Sequence, residues 1–174
     1  MINVRDTVSS AIFYAGMIAL SAGMIHVGSK YGWEKVDEQF RSMEPRLTRG
    51  DHAWVNRHVC RPDQFLYGDI IMYQRAVWKR TSYNYEYARV IGKPGDVVKM
   101  QSHRIYRAER ADGKLSPMEL VTEHYTQDYQ RPQDFAEFIV PRNTVFVMYD
   151  ERGHRGPLRD LIVPARAIVG KVLE

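Results

Sequence analysis

Along the 174-residue chain the apolar positions fall into two regimes. The first is continuous. Thr7 to Ser29 is a run of 23 residues without Asp, Glu, Lys or Arg, and its centre reads Ala11-Ile12-Phe13-Tyr14-Ala15-Gly16-Met17-Ile18-Ala19-Leu20. A helix of that length covers roughly 34 Å, against a hydrocarbon core of about 30 Å. Residues 1–29 therefore predict an N-terminal segment with a single transmembrane helix over 7–29. Two other readings of the run stay open. Arg5 followed by the small residues Ser21-Ala22-Gly23 fits a cleaved secretory signal, and the modest apolarity also fits a buried helix of a soluble protein. Charge does not orient the segment, because Arg5 stands on one side and Lys30, Lys35 and Arg41 on the other.

The second regime is intermittent. After a polar connector over residues 30–38, short apolar runs alternate with Gly, Pro, Asp and Asn. This pattern predicts strands at His52–Asn56, Asp69–Tyr73, Glu86–Ile91, Asp96–Met100, Arg104–Arg107, Glu137–Val140, Thr144–Met148 and Ala167–Val172. Gly50-Asp51, Gly68-Asp69 and Pro94-Gly95-Asp96 mark turns. Residues 108–135 are polar and aperiodic, and read as an insertion within a domain spanning 39–174. No second amphipathic helix stands out. The fold predicted is mainly β: a coiled antiparallel β-sheet domain behind the N-terminal helix.

Composition narrows the chemistry more than the fold. The chain is 44% hydrophobic and 26% charged, which excludes disordered and collagen-like classes. Its single cysteine, Cys60, excludes an internal disulfide and any cysteine-based zinc cluster, and reads as a bystander. The six histidines show no metal-binding spacing, and no phosphate-binding glycine loop is present, so no cofactor is implied. The formal charge of +4 is spread along the chain rather than gathered into a basic stripe. That argues against a nucleic-acid partner and is compatible with an anionic membrane lipid surface.

The motifs are more specific. Ser42-Met43-Glu44-Pro45, followed by Leu47, Gly50-Asp51 and Val55-Asn56, resembles the active-site segment of bacterial type I signal peptidases (leader peptidases). The resemblance continues in order. It runs through Tyr67-Gly68-Asp69-Ile70-Ile71-Met72-Tyr73, Arg89-Val90-Ile91-Gly92-Lys93-Pro94-Gly95-Asp96-Val97-Val98, and His103-Arg104-Ile105-Tyr106. Val140-Pro141, Thr144 to Met148 with Asp150, and Val163-Pro164 with Ile168 to Lys171 complete it. It implies a membrane protein with its β domain on the extracytoplasmic side, acting on leader peptides or exported client proteins. It also implies Ser42 as nucleophile, Met43 facing substrate or membrane, and an Asp150–Arg159 ion pair bracing the last box. Independently, Pro45 keeps Glu44 out of helical geometry, so Ser42 stands at a strand end or turn where its hydroxyl can reach a cleft.

A serine hydroxyl needs a neighbouring base. The resemblance implies a lysine immediately before Arg89-Val90, but this chain has Ala88 there. The serine that often orients that lysine has no counterpart in Asp150 to Asp160, and Phe40 stands where some members place an oxyanion-binding hydroxyl. His154, with Asp150 or Asp160 to orient it, is an alternative base; Lys93 is another, in an exposed turn. Two functions follow. One is a membrane-anchored serine endopeptidase of the Ser–Lys dyad type, with Ala88 either an engineered change or a loss bypassed by His154. The other is an inactive homologue, a pseudoenzyme that binds a secreted or pilin-like client. Oligomeric state is not set by any of these features.

Overall fold

The protein is described from a computed structural model covering residues 15–21, 30–36, 43–48, 50–75, 84–124, 134–151 and 158–173. Thirteen strands follow one another along the described residues: β1 (Tyr31–Lys35), β2 (His52–Asn56), β3 (Ile70–Arg75), β4 (Asn84–Gly92), β5 (Val97–Gln101), β6 (Arg104–Ala108), β7 (Arg110–Ala111), β8 (Lys114–Leu115), β9 (Glu119–Leu120), β10 (Phe135–Ile139), β11 (Thr144–Met148), β12 (Ile162–Pro164) and β13 (Ile168–Leu173).

They form a seven-stranded sheet in the order β1-β2-β13-β3-β4-β11-β12 and a four-stranded sheet in the order β10-β5-β6-β9. A two-residue ladder joins β7 and β8. Every pairing is antiparallel. The mainly β, antiparallel architecture expected from the alternation is the one observed, and each of the eight strands read from the sequence has its counterpart.

The hydrophobic pattern explains where the strands sit. In β2, Ala53 and Val55 are buried while His52 and Trp54 face out, the two-residue period of a sheet with one wet face. The neighbouring strands β4 and β11 instead have both faces covered. In β11, Val145 and Val147 enter one apolar cluster, while Phe146 and Met148 enter a second. Val90 and Ile91 of β4 divide in the same way. The first cluster lies against the larger sheet and includes Val36, Val55, Phe65, Ile71 and Val172. The second joins it to the smaller sheet through Val98, Met100, Ile105 and Val140.

Two local sequences set the geometry between the sheets. Between β4 and β5, Gly95 takes φ +90°, a backbone region that side-chain-bearing residues rarely adopt. The following Asp96 is 1% exposed, and its carboxylate accepts hydrogen bonds from Tyr67 Oη (2.9 Å), Lys93 N (2.7 Å) and Arg110 N (2.9 Å). The Pro-Gly-Asp signal thus marks a turn whose last residue is an internal bracket. Gly170 in β13 has a different reason: a Cβ there would lie 2.5 Å from the Asn56 carbonyl oxygen.

At three places the structure adds to these expectations. Residues 30–38 are not simply a connector, because Tyr31–Lys35 forms β1 and pairs along its whole length with β2. Residues 108–135 contain β7, β8, β9 and the start of β10; a two-residue strand is too short to print a periodic signal. At the N-terminus, residues 15–21 are helical, with Met17, Ile18 and Leu20 exposed. Among the described residues no helix is long and apolar enough to cross a membrane, and the remainder of the run over 7–29 lies outside them.

Candidate functional site

The segment after the candidate nucleophile is a tight turn. Leu47 N donates to Met43 O at 3.0 Å, and the Glu44–Pro45 peptide is cis. Thr48 N and Oγ1 both donate to one carboxylate oxygen of Asp51, at 2.8 and 2.7 Å, fastening the turn ahead of β2. Met43 is fully buried and belongs to the first apolar cluster. Met43, expected to face substrate or membrane, packs its unbranched thioether into this cluster. Ser42 and His154 lie outside the described residues, as does Phe40.

Ala88 sits in β4 opposite Ile71 of β3, with no exposed surface, in the same cluster as Met43. Residues two apart on a strand share a face. On the face of Ala88 lies Glu86, paired in register with Tyr73. Glu86 Oε2 accepts hydrogen bonds from Tyr73 Oη at 2.8 Å and Tyr149 Oη at 2.7 Å, and the two hydroxyls are 2.9 Å apart. Its other oxygen accepts from Arg75 Nη1 at 3.0 Å, and Arg75 Nη2 reaches Asp160 at 2.9 Å.

The electrostatics follow from that geometry. Burial works against ionisation of Glu86, but hydrogen bonds from Tyr149, Arg75 and Tyr73 outweigh it and hold the carboxyl below the ordinary glutamate range. Both tyrosines are pushed well above their ordinary range, first by burial, then for Tyr73 by the adjoining Tyr149 and Glu86 and for Tyr149 by Glu86. Neither hydroxyl gives up its proton near neutrality. A carboxyl whose folded value is depressed stabilises the fold above the unfolded value of about 4.3, and that contribution is lost as pH falls through the folded value. Stability measured from pH 7 down to 2 is expected to fall below about pH 4.3 in the native chain. In Glu86→Gln that part of the acid slope disappears, and an unchanged slope in urea melts would remove Glu86 from this role.

The last box is braced, but not by the pair expected. Asp150 is completely buried, and its carboxylate accepts from Arg89 Nε at 2.9 Å and Nη2 at 2.6 Å. Arg89 Nη1 also donates to Gly68 O at 2.7 Å. Arg159 is 87% exposed and, among the described residues, approaches Asp160 at 3.8 Å. The Asp150–Arg159 brace is thus corrected to Asp150–Arg89. Asp150 follows the end of β11, and β11 pairs with β4 at Met148 and Arg89, so the partner comes from the neighbouring strand rather than the adjacent loop.

Two clefts open nearby. One of about 340 Å³ lies beside the 43–47 turn, lined by Trp33, Arg46, Leu47, His52, Trp54 and Leu173 among others. The second, about 400 Å³, lies between Tyr67-Gly68, Val90-Ile91 and the region of Arg107 and Glu119 to Thr122. Ala88 lines neither. Lys93 packs its ammonium over the Tyr67 ring, 4.2 Å from the centroid. Sequence reasoning missed the Glu86–Tyr73–Tyr149–Arg75 cluster. Its one signal was a glutamate between two tyrosines in a strand that runs on into Val90 and Ile91, where a carboxylate needs polar partners.

The chain is similar to several known proteins. It is 27% identical over 148 residues to a Signal peptidase I P of Bacillus subtilis subsp. natto, covering 83% of this chain and 76% of that one. It is 26% identical over 132 residues to an Inactive signal peptidase IA of Staphylococcus aureus strain COL, covering 75% and 71% respectively. Among solved structures, a signal peptidase I from Enterococcus faecalis V583 aligns with a TM-score of 0.44 at 20% identity, covering 63% of this chain and 97% of that one. The profile described as "Signal peptidase, peptidase S26" matches residues 8–173, nearly the whole sequence. The chain belongs to the signal peptidase family S26.

Proposed function

We propose that this chain is a lapsed member of its family, one that engages leader-bearing exported proteins at the membrane without hydrolysing them. The observation that carries the reading is Ala88, a methyl group with no exposed surface where the resemblance puts the base. Removing the base of a serine hydrolase costs on the order of 10⁶ in rate, which takes turnover below ordinary detection. The burial of Ala88 leaves that position out of reach of a water molecule that could stand in for the amine. The Staphylococcus aureus relative, named as inactive, is consistent with such loss inside the family. In this reading residues 7–29 form the anchor, the β domain lies on the extracytoplasmic side, and an extended client segment binds by strand addition.

The second reading is a rewired serine endopeptidase with Ser42 as nucleophile and His154 as base. It is favoured by the serine itself, kept one residue before the buried Met43.

One assay separates the two. A fluorogenic leader peptide with small residues before its cleavage site is incubated with the full chain in detergent, beside Ser42→Ala. Saturable binding by fluorescence anisotropy with no turnover above Ser42→Ala is the expected result. Cleavage abolished by Ser42→Ala would overturn it and establish the enzyme, and His154→Ala would then identify the base.

A further inference from the structure

Ala88 is not an isolated change. On β4 the Cα atoms of residues 86 and 88 are separated by about 6.6 Å along one face. The four-carbon stem of a lysine at position 88 is long enough to bring its ammonium to the Glu86 carboxylate across that spacing. The groups gathered around Glu86 from the surrounding described elements are Tyr73 and Arg75 of β3, Tyr149 after β11 and, through Arg75, Asp160 in the turn Leu158–Leu161 with Arg159 beside it. Both tyrosines are neutral, so among the described residues Glu86 and Asp160 are balanced by Arg75 and Arg159, and the carboxylate two residues from position 88 on its own strand face is that of Glu86. On the opposite face of β4, Arg89 and Asp150 neutralise each other.

An amine serves as a general base only when it is neutral at working pH, which calls for burial without a counter-charge. A carboxylate within about 4–6 Å does the reverse. It favours the charged form by about 1–3 pKa units, leaving roughly 10- to 1000-fold less free amine.

We propose that Glu86 bars an amine base from position 88. With Tyr73, Tyr149 and Arg75 it turns this face of β4 from one that could activate an amine into one that holds a cation, so the loss of catalysis rests on two residues. This rests on reading Ala88 as the base position, and it makes Glu86 a positioning residue rather than a catalytic one.

The test reads the amine itself. Ala88→Lys and Ala88→Lys/Glu86→Gln are prepared in the full chain with ¹³C-labelled lysine, in detergent. The additional Cε resonance, absent from the native spectrum, is followed against pH. With Glu86 present the amine is expected to stay protonated beyond the ordinary lysine value of about 10.4. In the double variant its proton affinity is expected to fall at least tenfold. Identical titrations in the two variants, or an amine that titrates below the ordinary value beside Glu86, would overturn the proposal. So would leader-peptide cleavage by Ala88→Lys alone.

Because a lysine is large for a closed site, Ala88→His provides a smaller probe. Its imidazole proton shifts should titrate above the ordinary 6.5 with Glu86 and below it with Glu86→Gln. Equal values would again overturn the proposal. The titrations do not require Ser42 to react. If they come out as stated while no variant cleaves peptide, this inference stands and the enzyme reading of Ser42 fails separately.

Discussion

Asp150→Ala is expected to lower folding stability by about 3–5 kcal/mol, because it removes a fully buried carboxylate to which the Arg89 guanidinium donates twice. The pair is one of the most enclosed ionic contacts in the chain, with side-chain exposures of 7% and 0%. The geometry is bidentate, so both carboxylate oxygens are lost at once. For a chain of this length the midpoint of thermal unfolding should drop by about 6–20 °C. Asp150→Asn keeps the shape and one acceptor but not the charge, and should recover only part of the loss. Thermal melts of the two variants beside Arg159→Ala check the assignment. Arg159, on the surface, should change stability by no more than about 0.5 kcal/mol. A large effect at Arg159 with a small one at Asp150 would return the brace to the pair first expected.

Phe146→Ala should have an effect of the same size for an unrelated reason. The ring is completely buried in β11 and makes edge-on contacts with Phe138 (centroids 5.2 Å apart) and Phe135 (5.6 Å). Truncating a buried phenylalanine costs about 3–5 kcal/mol, part lost transfer energy and part unfilled cavity. Phe146→Leu, which refills much of the volume, should restore a substantial share. Urea unfolding of both variants reads the difference, and equal midpoints would mean that the second cluster collapses around the missing ring.

Some parts of this architecture can be read in the sequence because their signals are local. β2 and β11 appear with their observed ends, since alternation in His52–Asn56 and the dense Val-Phe-Val-Met run need only neighbouring residues to be seen. β1 hides because Tyr-Gly-Trp-Glu-Lys contains a glycine and two charges. Its strand character comes from pairing with β2, which begins at His52, 21 residues after Tyr31. The site divides along the same line. The Ala88 departure stands in a motif and is visible at once. Glu86, Tyr73 and Tyr149 come from three separate stretches, 13 and 63 residues apart from the glutamate, and only the sheet brings them together. For Asp150 the resemblance suggested Arg159 as partner, while strand pairing supplies Arg89.

The double-faced strands β4 and β11 carry a consequence for how the molecule comes apart. Val145 and Val147 point into one cluster and Phe146 and Met148 into the other, so neither can be dismantled while these strands stay in place. The β domain should therefore melt as one cooperative unit, its calorimetric enthalpy equal to the van 't Hoff enthalpy, although its strands belong to separate sheets.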